Sequence, residues 1–238
     1  MMNKLLIVLT AVCLCINVFA QTKPTVKKPV VTAVKKPVAP ARLAEIATNY
    51  GTIVVKLYDS TPQHRDNFIK LVKEGFYDSL LFHRVIDGFM IQGGDPESRN
   101  APDSAQLGGG EAPGDRIPAE VNKNYFHKKG ALAAARDDNP EKASSNCQFY
   151  IVQGKPFNDT ALNMMECQVR NENQGFSFTT QQRKIYNTIG GAPFLDQNYT
   201  VFGEVVKGLD IIDKIAAAPR DANDRPLQNV RMHIRMLN

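Results

Sequence analysis

Short β-branched runs, punctuated by glycine clusters, constrain this chain more than any other feature. Thr-Ile-Val-Val-Lys-Leu at residues 52 to 57 follows Asn49-Tyr50-Gly51 and reads as the second arm of a hairpin whose first arm starts near residues 44–47. Near the C-terminus Val230, Met232, Ile234 and Met236 alternate with Arg231, His233 and Arg235, the period of a half-buried strand. Gly93-Gly94 and Gly108-Gly109-Gly110 supply the connections between further runs. Two helices are marked. Thr61 offers an N-cap hydroxyl, Pro62 loses nothing by lacking an N–H there, Phe68, Ile69, Leu71 and Val72 make one apolar side, and Gly75 ends the segment. Leu209 to Ala217 is the other, stopped by Pro219. Few helices among many strands predict a mainly β domain closed into a barrel.

The 238 residues suit one medium domain with appendages. Met1 to Ala20 carries one early cation, Lys4, then an apolar run from Leu5 to Phe19 with a small residue at its end. That pattern predicts a secretory signal cleaved after Ala20, and the run is short for a membrane span. Cys13 and Cys15 lie inside it, but Val12 and Leu14 precede them, bulky where lipoprotein signals carry small residues. An exported protein is therefore expected, periplasmic in a cell with an outer membrane, with lipid anchoring the lesser alternative. Residues 21–42 repeat Lys, Pro, Val, Thr and Ala with no Gly and no helical period, an extended solvated linker. The domain itself is expected over 43–238.

The net charge of +5 misleads unless it is divided. Lys4 and the six linker cations (Lys23, Lys27, Lys28, Lys35, Lys36 and Arg42) meet no acid before Glu45, which leaves −2 on residues 43–238. The basic character belongs to the tail, and it gives no support to nucleic-acid binding by the domain. The tail reads as a spacer, with contact to anionic surfaces or an adhesive role as the alternatives.

Residues 82 to 95, Phe-His-Arg-Val-Ile-Asp-Gly-Phe-Met-Ile-Gln-Gly-Gly-Asp, carry the chemistry. Within nine residues they bring one guanidinium, two large apolar side chains and one amide. That mixture suits holding a neutral, partly apolar group while polarising an amide. Read alone, Arg84 could equally be a surface arginine paired with an acid such as Asp87, and Phe89 and Met90 could be plain core. Two further stretches follow in order: Gln148-Phe149-Tyr150-Ile151, and Phe194-Leu195-Asp196 leading to Tyr199-Thr200-Val201-Phe202-Gly203.

Together these three segments resemble the cyclophilin family of peptidyl-prolyl isomerases. The resemblance covers residues 44–157 and 192–237. It implies an eight-stranded antiparallel barrel capped by two helices, and catalysis of rotation about Xaa-Pro bonds in proline-containing polypeptides during folding of exported proteins. It implies Arg84 as the catalytic residue. Phe89 and Met90 would furnish the proline pocket, with Tyr150, Leu195 and Tyr199 as other walls. Gln92 would bond the substrate backbone, Ala135 and Arg136 would line the groove, and Gln148 would support it. Phe194 stands where cyclosporin-sensitive members have Trp, and the chain has no Trp, so weak cyclosporin binding with activity kept is expected. Tyr150 stands where many relatives have Phe, adding a hydroxyl that needs a partner. The same groove without catalysis would make a peptide-binding module or holdase.

Residues 158–192 depart from the family, which has a short connection there. A structureless loop of this length would be unusual in a compact domain. A helical insertion is expected, one helix carrying Leu162, Met164, Met165 and Val169, another spanning Thr179 to Ile189. Cys147 and Cys167 either form a disulfide pinning the insertion beside the pocket or remain two separate thiols. The reaction breaks no bond, so no cofactor or metal is called for, and His64, His83, His127 and His233 show no metal-ligand spacing. The glycine clusters lack the lysine and helix of a phosphate loop. A monomer without stable membrane insertion after signal cleavage is expected.

Overall fold

The computed structural model describes residues 41–237. Residues 1–20, read above as a secretory signal, with Cys13 and Cys15 and nearly all of the expected linker, lie outside the described residues. The domain begins with the expected hairpin, β1 (Leu43–Thr48) and β2 (Gly51–Leu57). There follow α1 (Pro62–Lys73), β3 (Arg84–Ile86), β4 (Met90–Gly93), β5 (Ala131–Ala134) and β6 (Phe149–Val152). The insertion contributes α2 (Asp159–Glu172) and α3 (Thr180–Thr188), and β7 (Val201–Lys207), α4 (Leu209–Ala216) and β8 (Met232–Leu237) complete the chain. All ladders are antiparallel, in one sheet of order β3-β4-β6-β5-β7-β2-β1-β8.

The ladder is open where a closed barrel was expected: β3 and β8 are its edges and do not pair with each other. β3 is only three residues long, and its Val85 N–H donates to the Asp224 carbonyl instead. The segment just ahead of β3 approaches the start of β8 through the isolated bridge Leu81–Arg231. The Ser79 and Phe82 N–H groups donate there to the Met232 and Val230 carbonyls.

Alternation along the strands sorts side chains onto two faces. Val85, Ile91, Leu132, Ala134, Phe149 and Ile151 join Ile46, Ile53, Val55 and Ile234 in the main core. Phe68 of α1 sits among Tyr77, Phe149 and Phe202 with ring centroids 5.3 to 5.6 Å apart, and Ile212 and Ile215 of α4 join the same core. Residues of opposite parity, Met90, Ala131, Ala133, Ala135, Tyr150, Val152 and Val201, form a second cluster on the other face. That face carries the site.

Gly75 ends α1 as expected, in the left-handed conformation (φ 67°) with the Gly75 and Phe76 N–H groups returning to the Val72 and Leu71 carbonyls. The start differs. The Thr61 hydroxyl makes no cap bond to the helix. Glu120, far along the chain, accepts from the backbone N–H groups of Gln63 and His64 at 3.1 and 2.9 Å, satisfying two donors that the first turn leaves unpaired.

The insertion is helical as expected. Asn158 caps α2, and Thr179 with Gln182 makes a reciprocal capping box on α3. Leu162 and Val169 are buried, whereas Met164 is 71% exposed, so the inward face of α2 is narrower than the four apolar residues implied. No disulfide pins it: Cys147 is buried, Cys167 is exposed, and both thiols are free. Among the described residues no helix is long and apolar enough to cross a membrane.

Candidate active site

Register brings the site together. Arg84 stands opposite Gln92 across β3 and β4, Gln92 opposite Tyr150 across β4 and β6, and Tyr150 opposite Ala133 across β6 and β5. Directly opposed residues share a face, so strand pairing alone aligns a guanidinium, an amide and an aromatic ring in one row. Arg84, Phe89, Met90, Gln92, Ala135, Arg136, Tyr150, Leu195 and Tyr199 line a single cavity of about 110 Å³. The turn Pro193–Leu195 closes one side of it. Of the eleven site residues expected from sequence, Gln148 and Phe194 stand just behind this lining. Gln148 accepts from Gln92 Nε2 at 3.2 Å, and its own Nε2 donates to the Gly108 and Gly110 carbonyls at 3.0 and 2.8 Å. Phe194 packs on Phe89 with ring centroids 5.4 Å apart.

Arg84 is the exposed polar element of the pocket. Its side chain is 43% accessible, its Nη1 donates to Gln92 Oε1 at a long 3.5 Å, and its Nε lies 3.6 Å from Asp224 Oδ2. Asp224 is its acidic partner, in place of the neighbouring Asp87 that sequence proximity suggested. Asp224 also takes Arg220 at 3.0 Å. The Asp224 loop is fixed by Arg225, a buried guanidinium that donates to the carbonyls of Pro102, Asp103 and Ala105. Arg136 is spent differently. It donates to the Asn198 and Asp137 carbonyls and lies 4.8 Å from the Tyr199 ring centroid, so it stiffens the rim.

The Tyr150 hydroxyl finds its partner in His127 Nε2, at 3.0 Å. His127 Nδ1 reaches Asp196 Oδ1 at 2.8 Å, and Asp196 Oδ2 accepts from the Tyr186 hydroxyl at 2.7 Å. Burial first, then the neighbouring Tyr199 and Asp196, hold the Tyr150 phenol well above the usual tyrosine range, so it stays protonated. Sequence reading missed His127, Asp196 as a participant, and Tyr186. Their separation of up to 69 positions hides the contact, and the one available signal was the extra hydroxyl at Tyr150. The insertion also reaches the rim, where Lys142 Nζ donates to Asn173 and Asn198, residues that are themselves hydrogen-bonded.

An antiparallel sheet with helices at its margins bears on one face a cavity walled by apolar side chains beside a guanidinium and an amide, a shape that suits one small apolar group flanked by polar backbone. The sequence profile described as "Cyclophilin type peptidyl-prolyl cis-trans isomerase/CLD" matches residues 43–235. A Staphylococcus haemolyticus protein that carries the name of a peptidyl-prolyl cis-trans isomerase is 33% identical over 184 residues, 77% of this chain and 84% of its own. A Staphylococcus aureus protein of the same name is 34% identical over 184 residues, 77% of this chain and 85% of its own. In fold, the chain is similar to the crystal structure of a Cryptosporidium parvum cyclophilin-type isomerase. Their TM-score is 0.61 at 22% identity, covering 83% of this chain and 98% of that one. A second structure of that protein was determined in the presence of the dipeptide Ala-Pro and gives a TM-score of 0.57. The chain belongs to the cyclophilin-type peptidyl-prolyl cis-trans isomerase family.

Proposed function

We propose that this protein accelerates cis–trans rotation of Xaa-Pro bonds in extended segments of exported polypeptides, with Arg84 as its catalytic residue. Rotation of the amide crosses a barrier of ~18–20 kcal/mol because conjugation is lost at the twisted state. A catalyst needs a donor for the carbonyl oxygen or the newly pyramidal nitrogen and a dry pocket that holds the ring while the other side turns. The single observation that carries the reading is the shared cavity: Arg84 and Gln92 border the same space that Phe89, Met90, Tyr150, Leu195 and Tyr199 wall with apolar surface. The proline ring enters this slot, Gln92 bonds the substrate backbone, and the planar fork of Arg84 reaches the amide. The Ala-Pro dipeptide used with the Cryptosporidium parvum relative supports peptide as the ligand.

The working form is a monomer, and its clients are met after export. The test is exchange spectroscopy on a short Xaa-Pro peptide with the protein and its Arg84→Ala variant. Catalysis that falls sharply in the variant is expected. A peptide that binds without exchanging faster would make this a binding module on the same fold. Sequencing the N-terminus of protein recovered from a cell-envelope fraction checks the export reading, with Gln21 the expected first residue.

A further inference from the structure

We infer that the 158–192 insertion supports the floor of the proline pocket through Tyr186, with Asp196 and His127 as positioning residues for Tyr150. This inference rests on the pocket assignment above.

The path is continuous and buried. Tyr186, Asp196, His127 and Tyr150 are all less than 5% exposed. Tyr186 comes from α3, which its capping box holds in register. Its hydroxyl donates to Asp196 Oδ2, while Asp196 Oδ1 accepts both the backbone N–H of His127 and its ring Nδ1, each at 2.8 Å. A carboxylate only accepts, so His127 Nδ1 donates to it, and Nε2 meets the Tyr150 hydroxyl at 3.0 Å. The path is hydrogen-bonded at every link.

The consequence reaches the pocket wall. The His127 and Tyr150 rings lie 13° from parallel, the edge of Tyr150 meets Tyr199 at 82°, and Arg136 covers Tyr199. A tyrosine ring has a broad torsional preference of its own. Here the hydroxyl anchor selects one orientation of the wall that the substrate ring touches. Gly191 lets the path close: a Cβ there would overlap both the His127 carbonyl and the Tyr186 ring. A connection lacking α3 would leave Asp196 Oδ2 without the Tyr186 donor, and in a buried network one missing partner weakens the rest.

The test is a double-mutant cycle of Tyr186→Phe and Tyr150→Phe, the two ends of the hydrogen-bonded path. Peptide Kd by calorimetry, KM and kcat by exchange spectroscopy, and Tm are measured for all four proteins. Tyr186→Phe is expected to raise Kd and KM roughly threefold to tenfold with kcat changed less than about twofold. In the Tyr150→Phe background the same substitution is expected to leave both almost unmoved, because the link is already cut. Equal effects in both backgrounds, or a lower Tm with Kd and KM unchanged, would overturn the inference. A wild-type protein that binds peptide but does not isomerise it would instead overturn the catalytic reading, and the cycle in Kd would still decide this one.

Discussion

Arg84 Nε lies 3.6 Å from Asp224 Oδ2, a loose contact that orients the guanidinium without saturating it. Among the described residues its only other side-chain partner is Gln92, at 3.5 Å, which leaves most of its five donors for a peptide. A charge-assisted hydrogen bond worth ~1.5–3 kcal/mol corresponds to roughly 10- to 150-fold in rate. Arg84→Ala is therefore expected to lower kcat/KM by that factor without abolishing turnover. Arg84→Lys is expected to recover only a minor part, since an ammonium cannot present a planar fork. Peptide exchange rates at matched protein concentrations check both.

Phe194 packs against Phe89 at a centroid distance of 5.4 Å, and the sequence resemblance sets it against the Trp of cyclosporin-sensitive cyclophilins. A phenyl ring offers less surface than an indole and has no N–H to donate. Cyclosporin is expected to bind more weakly than micromolar while isomerase activity is kept, and Phe194→Trp is expected to tighten binding. Calorimetric titration of both proteins decides the point, and a sub-micromolar Kd for the unaltered chain would contradict it.

Glu120 caps α1 from a distance, and its removal has a definite sign. Burial raises its pKa, but the hydrogen bonds from the His64 backbone and ring and from the Gln63 amide outweigh that and hold the carboxyl below the usual range. A depressed carboxyl contributes stability that is full above its unfolded value and disappears as pH falls through the folded one. Glu120→Ala is expected to cost about 1–2 kcal/mol at neutral pH, the range of a lost N-cap. It also removes the partner of His64 Nδ1, which Glu120 meets at 2.7 Å. Urea unfolding at pH 7 and pH 4 should show the difference between the two proteins shrinking in acid.

Local signals made the strands and helices legible, and they failed where a partner comes from far away. The alternation in β8 and the paired Pro62 and Gly75 marks depend only on neighbours along the chain. Thr61 stands at the N-cap of α1 as read, but the bond to the first-turn amides comes from a side chain 57 positions beyond Gln63. Phe89, Met90 and Tyr150 were legible as pocket residues only through the resemblance, since apolar residues on either face of a sheet read alike in sequence. The open edge at β3 was invisible for the same reason: whether Val85 pairs with a strand or with the Asp224 carbonyl depends on a loop some 140 residues later. Met164 shows the converse error, an apolar residue counted inward that faces outward.

His83, next to Arg84, is buried, and among the described residues neither of its ring nitrogens has a hydrogen-bond partner. Burial chiefly, aided by the charges of Arg84 and Arg225 and opposed by Asp95, lowers its pKa to about 4 from 6.5. For a base held neutral in the fold, the unfolded chain takes up a proton below 6.5 that the native state refuses until about 4. Stability is thus full above pH 6.5 and falls as the pH drops through that window, by about 3 kcal/mol from this residue. His64, lowered by burial despite Glu120, adds to the loss in the same direction. His83→Gln is expected to flatten the dependence of unfolding free energy on pH between about 6.5 and 4 while leaving part of it to His64. Denaturant titrations at half-unit pH intervals measure the slope, and an unchanged slope in the variant would show that His83 binds its proton as readily in the native state as in the unfolded chain.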